Sequence, residues 1–94
     1  MPDDDGKGQA TLLAVLDLKD AVARGDVEEA RQGREKRLLM ALELFSTDRK
    51  RHDALQQVWD VSGRWLRHIG SADMVLEALG RAIPLFERRY RQDQ

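Results

Sequence analysis

Two short corners, Gly25-Asp26 and Gly70-Ser71, each end one apolar run and precede another. Glycine enters the left-handed C-cap conformation without a steric penalty, and an Asp or Ser beside it can accept hydrogen bonds from the first free amides of a new helix. A chain that stops one helix and starts the next within two residues must fold back on itself, so the pattern predicts antiparallel helices. At the first corner, Asp26 and Glu29 have the spacing of a capping box. Ser46, Thr47 and Asp48 offer a third set of N-cap side chains and predict a bend, with a new helix beginning near Arg49.

Between the corners the apolar residues recur in three- and four-residue steps. The spacing predicts a first helix over Gln9 to Arg24, its face formed by Leu12, Val15, Leu16, Val22 and Ala23. A second runs from Val27 to about Phe45, with Val27, Ala30, Leu38, Ala41, Leu42 and Phe45 on one stripe. Its middle, RQGREKR, has no large apolar residue, so that turn either lies beyond its neighbour or packs through arginine stems and Gly33. The third, Arg49 to Ile69, carries Leu55, Val58, Trp65, Leu66 and Ile69, with Trp59 and Val61 flanking. The fourth starts at Ala72 and carries Val75, Leu76, Leu79, Ala82 and Ile83. Pro84 lacks an amide donor, so this helix is expected to kink, or to end near Arg81 with Pro84 opening a last short helix. No segment alternates with period two. The fold class is therefore all-α, a small antiparallel helical bundle of three main helices with a kinked or broken C-terminal helix. Residues 1 to 8 are expected to form a disordered acidic tail, and residues 9 to 94 a single bundle domain.

Sixteen basic and 17 acidic residues give a net charge of −1, which excludes binding of polyanions by bulk charge but leaves room for a local basic patch. The front is acidic and the middle, residues 31 to 53, basic. There is no cysteine, hence no disulfide or thiolate metal site. No apolar run approaches the roughly 20 residues of a membrane span, and MPDDDGKG has no signal-peptide pattern, so a cytoplasmic protein without membrane contact is expected. Catalytic groups are few. Asp48 and His52 share a helical face, but two ligands without a third make no metal centre. His68 sits near a helix end, in RHIGSA; the histidine-phosphotransfer pattern would need lysine where Ser71 stands, and Gly70 comes too soon for it. No phosphate loop and no Ser, His and acid trio is present. Neither an enzyme nor a cofactor is expected.

Binding is the remaining class. Trp59 and Trp65 are six residues apart, about 120° off a common azimuth on a helix, so one neighbour cannot easily bury both. Trp65 continues the core stripe, which leaves Trp59 for a contact surface. Leu39, Met40 and Leu44 lie off the main stripe of the second helix. A helix apolar on more than one side is usually covered twice, once by its own domain and once by a second chain. Two other readings use the same chain differently. A nucleic-acid-binding regulator would rest on Arg31, Arg34, Lys36, Arg37, Arg49, Lys50 and Arg51, although acids interrupt both clusters, as on a solvated helical face. A self-associating structural subunit would close a dimer through the off-stripe apolar residues.

The order of features over residues 11 to 45 resembles the FliT-type flagellar export chaperones: an apolar first helix TLLAVLDLKDAVARGD, the Gly25-Asp26 corner, then VEEARQGREKRLLMALELF with its arginine-bearing middle. Val27 stands where that family commonly has tryptophan, and Gly33 where it has leucine. The resemblance implies a small cytoplasmic type III secretion chaperone whose partner is another protein, either an export substrate or an export-apparatus component. It also implies that the last segment, LFERRYRQDQ, covers the binding face and detaches from it. That adds Leu85, Phe86 and Tyr90 to Leu39, Met40, Leu44 and Trp59 as candidate protein-binding residues, with Pro84 loosening the junction.

Overall fold

A computed structural model describes the backbone of residues 2–92 and the side chains of residues 6–87. The chain forms four rods. α1 spans Pro2–Arg24; the second rod joins α2 (Val27–Gln32), a π-helical turn (Gly33–Leu38) and α3 (Leu39–Leu44); α4 spans Arg49–Leu66 and α5 Ala72–Gln92. The second rod packs between α1 and α4, and α5 packs along both α4 and α1, closing the ring of four. The all-α bundle read from the sequence is the fold.

Each turn has a chemical cause. Gly25 adopts φ 74°, and the Gly25 and Asp26 amides donate to the Val22 and Ala21 carbonyls at 3.1 and 2.9 Å, the two bonds of a Schellman cap. Asp26 then begins α2, its Oδ1 accepting from the Glu29 amide at 3.1 Å. The reciprocal half of the expected capping box is not made, because the Asp26 amide is already committed to Ala21. At residues 45 to 48 the chain bends as expected, and Asp48 caps α4 by accepting from the Arg51 amide.

The third corner differs from expectation. His68, not Gly70, takes the left-handed conformation, at φ 64°. The His68 and Ile69 amides donate to Trp65 and Arg64 at 3.0 and 2.9 Å, another Schellman cap, so α4 ends at Leu66 and Ile69 swings out to 70% exposure instead of extending the core stripe. Ser71 Oγ accepts from the Met74 amide and starts α5.

At the N-terminal end the expectation is corrected, and at Pro84 one of the two expected alternatives, the break, is not taken. Helix α1 begins at Pro2, so residues 2 to 8 continue the rod and do not form the expected disordered tail. Proline suits the first helical position, where its missing amide costs no hydrogen bond. Helix α5 is not broken at Pro84 but continues through it. The bond that Pro84 cannot give would have gone to the Gly80 carbonyl, and both residues are exposed, so water can reach that carbonyl.

The core is contributed by every rod: Val15, Leu18 and Val22; Leu38, Leu42 and Phe45; Leu55, Val58 and Val61; Val75, Leu79, Ile83 and Phe86. Burying each large side chain supplies about 1.5–3 kcal/mol. Phe45 and Phe86 meet edge to face with centroids 5.2 Å apart. The α1 face is rotated from the predicted one. Thr11, Ala14, Leu18 and Ala21 point inward with Val15 and Val22, while Leu16 and Ala23 are exposed.

The π-helical turn solves a phase problem. Ala30, Arg34, Leu38 and Leu42 follow one another in steps of four, and each such step overshoots an α-helical turn by about 40°. A π turn holds more residues than an α turn, so the drift is absorbed and Ala30, Leu38 and Leu42 all remain in the core.

Candidate functional site

Met40 and Leu44, two of the off-stripe apolar residues of the second rod, border a groove against α1. It has a volume of about 410 Å³ and is lined mainly by apolar atoms of Leu13, Ala14, Met40, Ala41 and Leu44. Met40 is 61% exposed and Leu13 56%, with Leu39 and Leu44 also exposed nearby. The groove follows from helix phase, since a stripe that buries Leu38, Ala41 and Leu42 must turn Leu39, Met40 and Leu44 away from it. Lys36, Arg37 and Asp17 also line it, and Arg37 Nη1 reaches Asp17 Oδ2 at 2.8 Å, tying the second rod to α1 by an exposed ion pair. Thr11 Oγ1 is buried in the same wall with no hydrogen-bond partner among the described residues.

The remaining predicted contact residues fall elsewhere. Trp59 is only partly exposed, and one face of its ring is covered by Arg34, whose Cζ lies 3.7 Å from the ring centroid. Leu85 is partly buried against the core. Phe86 is 1% exposed, so its expected place on a contact surface is corrected to the core, where it faces Phe45. The Tyr90 side chain lies outside the described residues. The predicted set is therefore divided: Met40 and Leu44 line the groove, Leu39 is exposed outside its lining, and Trp59, Leu85 and Phe86 do not join them. Leu13, which supplies the facing wall, was missed by sequence reasoning. The LeuLeu pair at 12 and 13 was its signal, because only one of two adjacent residues can face the same neighbour.

The basic residues are divided too. Arg34 is half-buried: its Nε donates to the Trp59 carbonyl at 3.2 Å and to Ser62 Oγ at 3.0 Å, and Nη2 donates to the same carbonyl at 3.1 Å. Burial pushes its pKa down from the usual arginine value, the Glu35 carboxylate opposes that shift and the Arg67 guanidinium adds to it. A guanidinium nonetheless stays charged in a protein. Arg37 is paired with Asp17, and Arg51 bridges Asp48 at 2.7 Å while donating from Nε to the Leu85 carbonyl. Arg31 also meets Glu28 at 3.5 Å, so four of the seven cations on which nucleic-acid binding would rest are occupied within the molecule.

Among the described residues no three His, Asp or Glu side chains gather as a metal site, and no helix is long and apolar enough to cross a membrane. Compared with known protein families, characterised proteins and solved structures, the chain matches none, so the functional reading rests on this geometry.

Proposed function

We propose that this is a cytoplasmic protein-binding adaptor or chaperone that holds an amphipathic helix of another protein in the groove between α1 and α3. The observation carrying the reading is that Leu13, Met40 and Leu44, all exposed, converge on one apolar groove of about 410 Å³. A helix laid there would bury apolar residues at i, i+3 and i+7 spacing, and an acid on its flank would meet Lys36. The likeness of residues 11 to 45 to FliT-type export chaperones agrees in kind and would make the client a secretion substrate. A self-associated form is a second reading, since an apolar groove can meet its own copy across a two-fold axis.

The test is affinity capture from the native cell with wild type, Met40→Glu and Leu13→Glu, alongside Ile69→Ser as an exposed control remote in sequence from the groove. The expected result is a client retained by wild type and the control and lost by both groove variants, with little salt dependence. Equal retention by all four proteins would remove the groove from the reading. Sedimentation at two concentrations separates the client from a second copy of the chain.

A further inference from the structure

A second cavity, of about 380 Å³, lies between the π-helical turn and the last turns of α4, lined by Arg31, Arg34, Glu35, Gly63, Leu66 and Arg67. Three guanidiniums and one carboxylate give it a local excess of two positive charges. Arg31 has an exposed partner, Glu28, at 3.5 Å. Arg34 and Arg67 have no carboxylate within ion-pair distance among the described residues, and their side-chain bonds go to carbonyl and hydroxyl oxygens of α4. Glu35, the one carboxylate in the lining, offsets part of the repulsion among the three guanidiniums, and a bound anion would offset the rest.

The cleft is built, not a chance meeting of surface side chains. The π-helical turn keeps Arg34 on the α4 side of its rod, and such turns occur often at functional sites. Arg34 is then fixed by three hydrogen bonds and by the Trp59 ring, so its orientation is set before any ligand arrives. Gly63 makes the room: a Cβ at that position would stand 2.6 Å from Arg34 Nη2. Fixing Nε and one Nη2 proton against α4 leaves the other guanidinium protons to a ligand.

We propose that this cleft binds a small phosphate monoester, with Arg31, Arg34 and Arg67 as its donors. A phosphate monoester carries about −1.5 to −2 at neutral pH and three acceptor oxygens, which match the excess charge and the three arginines better than a carboxylate's single charge and two oxygens do. The cavity's size lies toward the small end of ligand sites, which suits one phosphoryl group with a modest organic substituent. A nucleic-acid strand would need a continuous cationic track, and Arg37 and Arg51 are committed elsewhere.

The test is amide NMR titration of the full chain with inorganic phosphate and with phenyl phosphate, against acetate at matched ionic strength. Saturable shifts at the Gly63 and Arg67 amides are expected, with half-saturation near 1 mM or below, the range of a weak specific site. Arg67→Gln should weaken the effect at least about tenfold, the loss expected for one charge-assisted hydrogen bond. Arg81→Gln, on α5, should leave it unchanged. Arg67 is chosen because, among the described residues, its side chain bonds only to the Gly63 carbonyl next to its own helix's end, so its removal spares the fold. Shifts that grow linearly without saturating, an acetate response equal to that of phosphate, or an Arg67→Gln protein that titrates like wild type would each overturn the assignment. A response to phenyl phosphate but not to inorganic phosphate would assign the site to organic esters.

Discussion

The Arg34 guanidinium carbon lies over the Trp59 ring, 3.7 Å from its centroid, while two of its nitrogens donate to the backbone carbonyl of that same residue. One side chain thereby joins the second rod to α4 across a stretch where the rod has no large apolar residue to offer. The cation–π contact contributes about 0.5–2 kcal/mol, and the hydrogen bonds from a charged donor about as much again.

Replacing Arg34 should therefore be felt in stability. Arg34→Ala is expected to lower the unfolding free energy by about 2–4 kcal/mol, because it removes the stacked cation and the charged donor to Ser62 Oγ and to the Trp59 carbonyl, which keeps only the Ser62 hydroxyl as a side-chain donor. Arg34→Lys should recover only part of this, since an ammonium cannot reproduce the planar, two-nitrogen contact. Urea unfolding monitored by tryptophan emission checks both; an unchanged midpoint for Arg34→Ala would show the contact to be energetically empty.

Gly63 offers a sharper test of the same contact. Alanine is favoured over glycine inside a helix by about 1 kcal/mol. In the wild-type background its Cβ would strike Arg34 Nη2, so Gly63→Ala should give little net gain or a loss. With Arg34 already changed to Ala the collision is gone, and the full gain of about 1 kcal/mol should appear. A double-mutant cycle by denaturant unfolding measures the difference, and additive effects would contradict the geometry.

The two Schellman corners should respond in opposite directions. Gly25 holds φ 74°, so Gly25→Ala is expected to destabilise by about 1 kcal/mol. His68 holds φ 64° at the equivalent position without glycine's freedom, so His68→Gly should stabilise by up to about 1 kcal/mol. For a domain of this size that corresponds to a rise of roughly 4–8 °C per kcal/mol in a thermal melt. A fall in Tm for His68→Gly would mean that the imidazole makes a contact worth more than the strain.

The end of α5 is predicted to be structural. Phe86 is buried against Phe45, and Arg51 reaches past Pro84 to the Leu85 carbonyl. Phe86→Ala should cost about 3–5 kcal/mol, a large share of the 5–15 kcal/mol typical of a domain. Deleting residues 84 to 94 should do at least as much damage, read as lost cooperativity in the thermal melt and as dye binding to exposed core. Were the truncated chain to melt like wild type, the last segment would be a dispensable cover after all.

Helix existence was legible because local causes sufficed. Glycine-Asp chemistry marked the first corner, the hydroxyl and carboxyl run at 46 to 48 marked the second, and the stripe of Val75, Leu79, Ala82 and Ile83 fixed the inner face of α5. Phase was less legible. In α1, Leu12, Leu13, Leu16 and Leu18 surround the helix, and only the neighbours decide that Leu18 and the small Ala14 and Ala21 turn inward. The third corner was misread because Gly70 drew attention that belonged to His68, where a residue of ordinary propensity is held left-handed by two cap bonds. The groove was half legible, through Met40 and Leu44. The arginine cleft was hidden in a segment that reads as a solvated face, although the four-residue steps from Ala30 through Arg34 to Leu38 place that arginine on the inner line.

Because α5 lies along α1 on one side and α4 on the other, it works as the keystone of the four rods. A closed circle of helices has no bare flank, but one opened at this rod has two, and they belong to segments distant in the chain. Anything that prises α5 loose therefore uncovers Val15 and Leu55 together, so the molecule should come apart as a whole rather than fray from its last helix.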